Sequence, residues 1–115
     1  MNTKLPGPRM TLSTQLVLRV LLDDPAREMY GLEICAEAGL PSGTIHPILA
    51  RLEGIGWLES WWEDTDPHEQ GRPRRRYYRL TQDGAALARD ALARCASSTS
   101  ALRALRVDLA GGEAK

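Results

Sequence analysis

No stretch of this 115-residue chain approaches the ~18–20 consecutive apolar residues that a bilayer-spanning helix requires. The opening residues MNTKLPGPRM lack the apolar segment of a secretory signal. Cysteine is scarce. Cys35 and Cys95 are the only two; both fall in helical-looking stretches and read as small hydrophobes, with no disulfide framework around them. His46 and His68 are the only histidines, far from each other and from both cysteines, so no C-x-x-C or H-x-x-x-H spacing offers a zinc site. The signatures G-x-x-x-x-G-K-[ST], G-x-G-x-x-G and G-x-S-x-G are missing, and with them the commonest nucleotide-binding and hydrolase designs. Net charge is missing as well: 15 basic and 15 acidic residues cancel, which argues against a polycation that coats nucleic acid or anionic membrane indiscriminately. These absences leave the expectation of a soluble cytoplasmic protein, not an enzyme, with no metal or cofactor.

What is present is an ordinary globular balance, 43% hydrophobic and 26% charged, in a chain long enough for one domain with a real core. The charges are unevenly placed. Residues 59–69 hold Glu59, Glu63, Asp64, Asp66 and Glu69 with no Lys or Arg, and residues 71–79 hold Arg72, Arg74, Arg75, Arg76 and Arg79 with no acid.

Apolar positions Leu12, Leu16, Val17, Val20 and Leu21 recur at helical spacing and predict a helix to about Asp23, stopped by Asp24-Pro25. A second helix fits Tyr30 to Glu37, ended by Gly39. A third opens at Pro41-Ser42 with Ser42 as its cap; Ile45, Ile48, Leu49, Leu52 and Ile55 share one face, Pro47 tightens or bends its start, and Gly54 and Gly56 close it. Periodicity then shifts from helical to alternating. Trp57 to Glu63 reads as a strand, residues 64–73 as a turn or flexible loop, and Arg75 to Leu80 as a second strand. On the first strand Trp62 and Leu58 share the face expected to meet the core, with Trp57 and Trp61 opposite. Thr81 caps a last helix carrying Ala88, Ala91, Leu92, Cys95, Leu102, Leu105 and Leu109, which residues 97–100 bend or divide.

Three helices followed by a hairpin is the plan of a winged helix-turn-helix, a mainly α fold with a small β-hairpin. The expected organisation is a disordered arm (1–10), the winged domain (11–81), a C-terminal helix (82–110) and a disordered tail (111–115). In such a fold the third helix presents its N-terminal residues to base edges, here Ser42, Gly43, Thr44 and His46, with Arg51 as the helix's one strong cation. Arg72, Arg74, Arg75 and Arg76 follow a glycine-containing tip from which long side chains reach phosphates. The competing use of these arginines is an ion-pair ladder with the acids of 59–69, and both uses are compatible. The aromatics read mainly as structural; an alternative is that Trp57 or Trp61 lines a pocket for a small hydrophobic effector. A winged-helix module that binds protein and not DNA is the alternative function, favoured by the zero net charge and the acid-rich first strand.

Taken together, YGLEI (30–34), PSGTIHPILARLEGIGWLES (41–60), Trp62 and GRPRRRYYRLTQDG (71–84) resemble the PadR family of bacterial transcriptional regulators. The likeness spans residues ~12–95. It implies a winged-helix DNA-binding domain, a homodimer joined through the C-terminal helix, and repression commonly relieved by a small effector. By motif match it places Ser42, Gly43, Thr44 and His46 at the start of the reading helix and Arg72 to Arg76 on the wing; Tyr30, close to Leu32, is a further candidate DNA contact. His46 stands where the family commonly has an aromatic, and Leu32 where it often has tyrosine. The stripe Leu92, Cys95, Leu102, Leu105 and Leu109 is then the expected dimer interface. The expected partner is double-stranded DNA carrying an inverted repeat, its half-sites ~34 Å apart.

Overall fold

The computed structural model describes residues 7–111, with side chains as far as Ser98. Thr11 starts α1 (Leu12–Asp23) by accepting the Thr14 N–H on its hydroxyl at 3.2 Å. The buried face of α1 is wider than the spacing predicts and is turned from it. Val17, Leu18 and Leu21 are buried, whereas Leu12 is 71% exposed. Leu18 is enclosed because α1 is gripped on one side by α2 (Gly31–Ala38) and α3 (Ser42–Gly54) and on the other by α5 (Gln82–Gly111). A helix packed on two sides buries more than a single stripe.

Tyr30 does not begin α2. It is extended (φ −97°, ψ 164°) and, with Met29, forms the two-residue strand β1 (Met29–Tyr30). The Glu33 carboxylate accepts the Tyr30 N–H at 3.1 Å and ties the strand to the helix start. Two residues are too few for alternation to reveal. α3 is preceded by Pro41, not Ser42, in the cap position, and no side chain caps it. Ser42 is therefore the first helical residue, exposed at the tip. Ile45, Leu49 and Leu52 bury the inner face of α3 as expected.

β2 (Leu58–Trp62) and β3 (Arg76–Leu80) form the antiparallel wing, with Trp61 opposite Tyr77 and Trp62 opposite Arg76. β1 joins the far side of β3, which makes a three-stranded sheet of order β1-β3-β2. The connecting loop contains one turn of helix, α4 (Pro67–Gln70), capped by Asp66, whose carboxylate accepts the His68 N–H at 2.9 Å. The tryptophans exchange their expected places. Trp57 is 6% exposed and belongs to the core, whereas Trp62 is 58% exposed. Trp57 precedes the strand, so alternation does not govern it; Trp62 shares a face with buried Leu58 but lies at the strand's far end, away from the helices.

Thr81 caps α5 as its position predicts, accepting the Gly84 N–H at 2.8 Å and donating its hydroxyl to Gly56 C=O at 2.9 Å. A Cβ on Gly84 would stand 2.1 Å from the Trp57 carbonyl oxygen. Only glycine lets α5 come this close to the body. Ala85, Ala88 and Ala91 then bury against it. The helix runs unbroken through residues 97–100; helix propensity there is a weak preference that the longer helix overrides. Residues 7–10 are also placed, where a disordered arm was expected: Pro8 is buried, Met10 packs against the core, and Gly7 lies by the Trp57 ring. Residues 1–6, the tail from 112, and the side chains of Leu102, Leu105 and Leu109 lie outside the described residues.

Candidate nucleic-acid interface

The exposed side of α3 consists of two i, i+4 rows: Ser42, His46 and Ala50, and beside them Gly43, Pro47 and Arg51, all exposed. Thr44 is half-buried. The rows look out on different neighbours.

The Ser42–His46 row faces the wing. A groove of about 370 Å3 is lined by Tyr30, Gly31 and Leu32 at the start of α2, by His46, and by Arg72 to Arg76 and Tyr78. Two tyrosines and four arginines are among its lining residues. The His46 ring rests against the α2 backbone so closely that a Cβ on Gly31 would meet its Cε1 at 3.2 Å. Leu32, 70% exposed, forms part of the lip.

The wing arginines divide into two groups. Arg72 makes a two-pronged contact with Glu63, at 2.7 and 3.0 Å, and Glu63 also accepts the Arg75 N–H at 3.2 Å. The Arg72 guanidinium, helped by that N–H and against the opposing effect of burial, holds the Glu63 carboxyl down at about 2. Arg76 donates to Ser60 Oγ at 2.8 and 3.1 Å, meets Glu53 at 3.4 Å, and lies over the Trp62 ring at 5.3 Å. Arg79 pairs with Glu59 and Glu28 and covers Trp61. Arg74 and Arg75 have no carboxylate partner among the described residues. Arg74 donates Nε to the Thr65 carbonyl at 2.7 Å, and Arg75 is stacked 4.0 Å above the Tyr30 ring centroid. The expected ladder and the expected open cations thus both exist, on different residues. Arg72 and Arg76, expected at the tip beside Arg74 and Arg75, brace the wing instead.

The Gly43–Pro47–Arg51 row faces the other way. Pro47 and Arg51 line a second groove, of about 310 Å3, with Pro8, Arg9, Thr11 and Thr14. Nothing in the sequence pattern marks Arg9, because two prolines and a glycine make its segment look like a loose arm. The only signal for it is the Thr11 cap two residues on, which fixes the chain's entry into α1.

Trp57 is absorbed by the core, and Trp61 is stacked on Tyr77 with ring centroids 6.5 Å apart. Leu92 packs partly on its own domain's core, and Cys95 is half-buried.

A three-helix body with its third helix exposed beside a basic antiparallel wing defines a winged helix-turn-helix protein. The profile of the transcriptional regulator PadR-like family matches residues 17–90. The chain belongs to this family, whose members are DNA-binding transcription regulators. Among curated proteins, none matches it. Among solved structures it is similar to a PadR family transcription regulator from Clostridium difficile, at 21% identity and TM-score 0.65, covering 83% of this chain and 98% of that one. It is also similar to a PadR-like transcription factor from Bacteroides fragilis, at 24% identity and TM-score 0.62, covering 82% and 89%. BpsR of Bordetella bronchiseptica, whose DNA binding is regulated by 6-hydroxynicotinic acid, aligns at 18% identity and TM-score 0.63, covering 99% and 86%. At these identities the structural likenesses speak to the fold alone. No helix among the described residues is long and apolar enough to cross a membrane.

Proposed function

We propose that the protein is a homodimeric transcriptional repressor that reads an inverted-repeat operator through the start of α3 and grips adjacent phosphates with its wing. The main support is the shared groove, in which His46 of the reading helix and the unpaired cations Arg74 and Arg75 line one surface. In this reading Ser42, Gly43, Thr44 and His46 approach base edges, Arg74 and Arg75 hold phosphates, and Tyr30 backs Arg75 by stacking under it. Arg72 and Arg76 keep the wing in shape and add charge at longer range.

Dimerisation falls to α5. Its first turns are used by the domain through Ala85, Ala88 and Ala91, while the 30-residue helix continues far past them. Cys95, Leu102, Leu105 and Leu109 follow at near-helical spacing, and Leu92 joins them at the edge of the core. Relief by a small hydrophobic effector belongs to the same reading, in keeping with the ligand control of the structurally similar BpsR. The cytoplasm is the compartment where such a protein meets its operator.

Fluorescence anisotropy with a labelled duplex at about 50–200 mM salt tests the DNA contact. Replacing Arg74 and Arg75 with alanine is expected to flatten the log–log salt dependence by about 1.8 per chain, since each phosphate left unneutralised removes about 0.9 from the slope. An unchanged slope would refute phosphate binding by the wing. It would favour the protein-binding module instead, which the acid pairing of Arg72, Arg76 and Arg79 would suit.

A further inference from the structure

The two rows of α3 have cations beyond them on opposite sides. On the wing side are Arg74 and Arg75. On the other side, Arg51 and Arg9 line a groove with no carboxylate in its walls, and neither has an acidic partner among the described residues. The basic residues therefore bracket the reading helix, although the chain as a whole is neutral.

Arg9 is carried by a fixed piece of chain. On one side of it Pro8 is buried and Gly7 lies against the Trp57 ring, 3.6 Å from Cζ2 to the position of an added Cβ. On the other, the Gln15 side-chain amide donates to Met10 C=O at 2.9 Å, Met10 packs on the core, and Thr11 caps α1. Arg9 itself is exposed between these anchors. Most of the backbone entropy a loose arm would lose on binding is thus lost already on folding.

We infer that Arg9 and Arg51 form a second phosphate clamp, on the flank of α3 opposite the wing. A helix lying in a major groove ~12 Å wide has a phosphodiester backbone on each side. Arg74 and Arg75 take one strand, and Arg9 and Arg51 take the other. The ligand is the DNA backbone, recognised without regard to sequence. Arg9 fixes the angle at which α3 enters the groove and adds affinity but no base preference.

This inference rests on the duplex-DNA reading above, and its test separates the two. Arg9→Gln is made in the full chain, with Arg89→Gln as the control; Arg89 is an exposed arginine on α5, outside this groove, and its loss changes the net charge equally. The probe is a labelled duplex of mixed sequence. Arg9→Gln is expected to flatten the salt dependence by about 0.9 per chain, so its disadvantage to the native protein shrinks about 3.5-fold for each bound chain between 50 and 200 mM salt. Arg89→Gln should leave the slope unchanged, and all three proteins should unfold at the same temperature. If Arg9→Gln matches Arg89→Gln while the Arg74/Arg75 variant loses slope, the second clamp is refuted and the wing's phosphate grip stands. If the native protein does not bind the duplex at all, both fall.

Discussion

Replacing Gly84 with alanine sets two physical effects against each other with opposite signs. Gly84 lies in the first turn of a helix, where propensity alone makes alanine more stable than glycine by ~1 kcal/mol. The added Cβ, however, would stand 2.1 Å from the Trp57 carbonyl oxygen, 2.6 Å from its Cα and 2.7 Å from its carbonyl carbon. All three are backbone atoms, so no side chain can swing aside. Reaching ordinary contact requires α5 and the start of β2 to separate by more than an ångström. That displacement strains the Thr81 N–H bond to Trp57 C=O (2.9 Å) and the Thr81 hydroxyl bond to Gly56 C=O (2.9 Å), and loosens Ala85 and Ala88 from the core. Overpacking and two weakened hydrogen bonds together cost about 3–5 kcal/mol. Against the propensity gain, the net destabilisation is about 2–4 kcal/mol. At roughly 4 °C per kcal/mol for a chain of this size, the midpoint should fall by about 8–16 °C. Urea unfolding followed by tryptophan fluorescence measures the change, with an unaltered denaturant slope as the check that the same transition is being compared. A variant as stable as the native protein, or more stable, would refute the close approach of α5 to β2.

Three further outcomes follow from other parts of the molecule. Because folding lowers the Glu63 carboxyl from 4.5 to about 2, its stabilisation of the wing is complete above pH 4.5 and is lost as pH falls toward 2; the Arg75 amide resonance should titrate near 2, and a midpoint near 4.5 would show that Arg72 does not hold the carboxylate. Gly31→Ala puts a Cβ 3.2 Å from His46 Cε1 and should displace the imidazole, weakening operator binding severalfold with little change in unfolding temperature; unchanged affinity would remove His46 from the reading surface. Ending the chain after Ala96 keeps the buried alanines of α5 but removes its outer half, so light scattering should find a monomer, and a persistent dimer would place the interface elsewhere.

Much of the fold was legible because helix periodicity and capping act over a few residues. The inner face of α3, the Thr81 cap, and the junction of an acidic strand with an arginine-rich one could all be read from the chain. The features that escaped are long-range. β1 exists because Tyr30 meets Tyr77 across the sheet. Trp57 is buried because Gly84, 27 residues on, leaves room for the two segments to touch.

The candidate site shows the same division. Residue types and spacing determined by themselves that a third amphipathic helix and a cluster of guanidinium groups were present, since both are properties of contiguous sequence. Which arginines are bound to carboxylates and which are open to a ligand was decided only by the tertiary structure, because Glu63 reaches Arg72 and Glu53 reaches Arg76 through strand pairing and helix packing. The position of Arg9 beside Arg51 was decided in the same way. An ion pair or a shared groove depends on distance in space, and a linear sequence fixes that distance only after the chain has closed on its core.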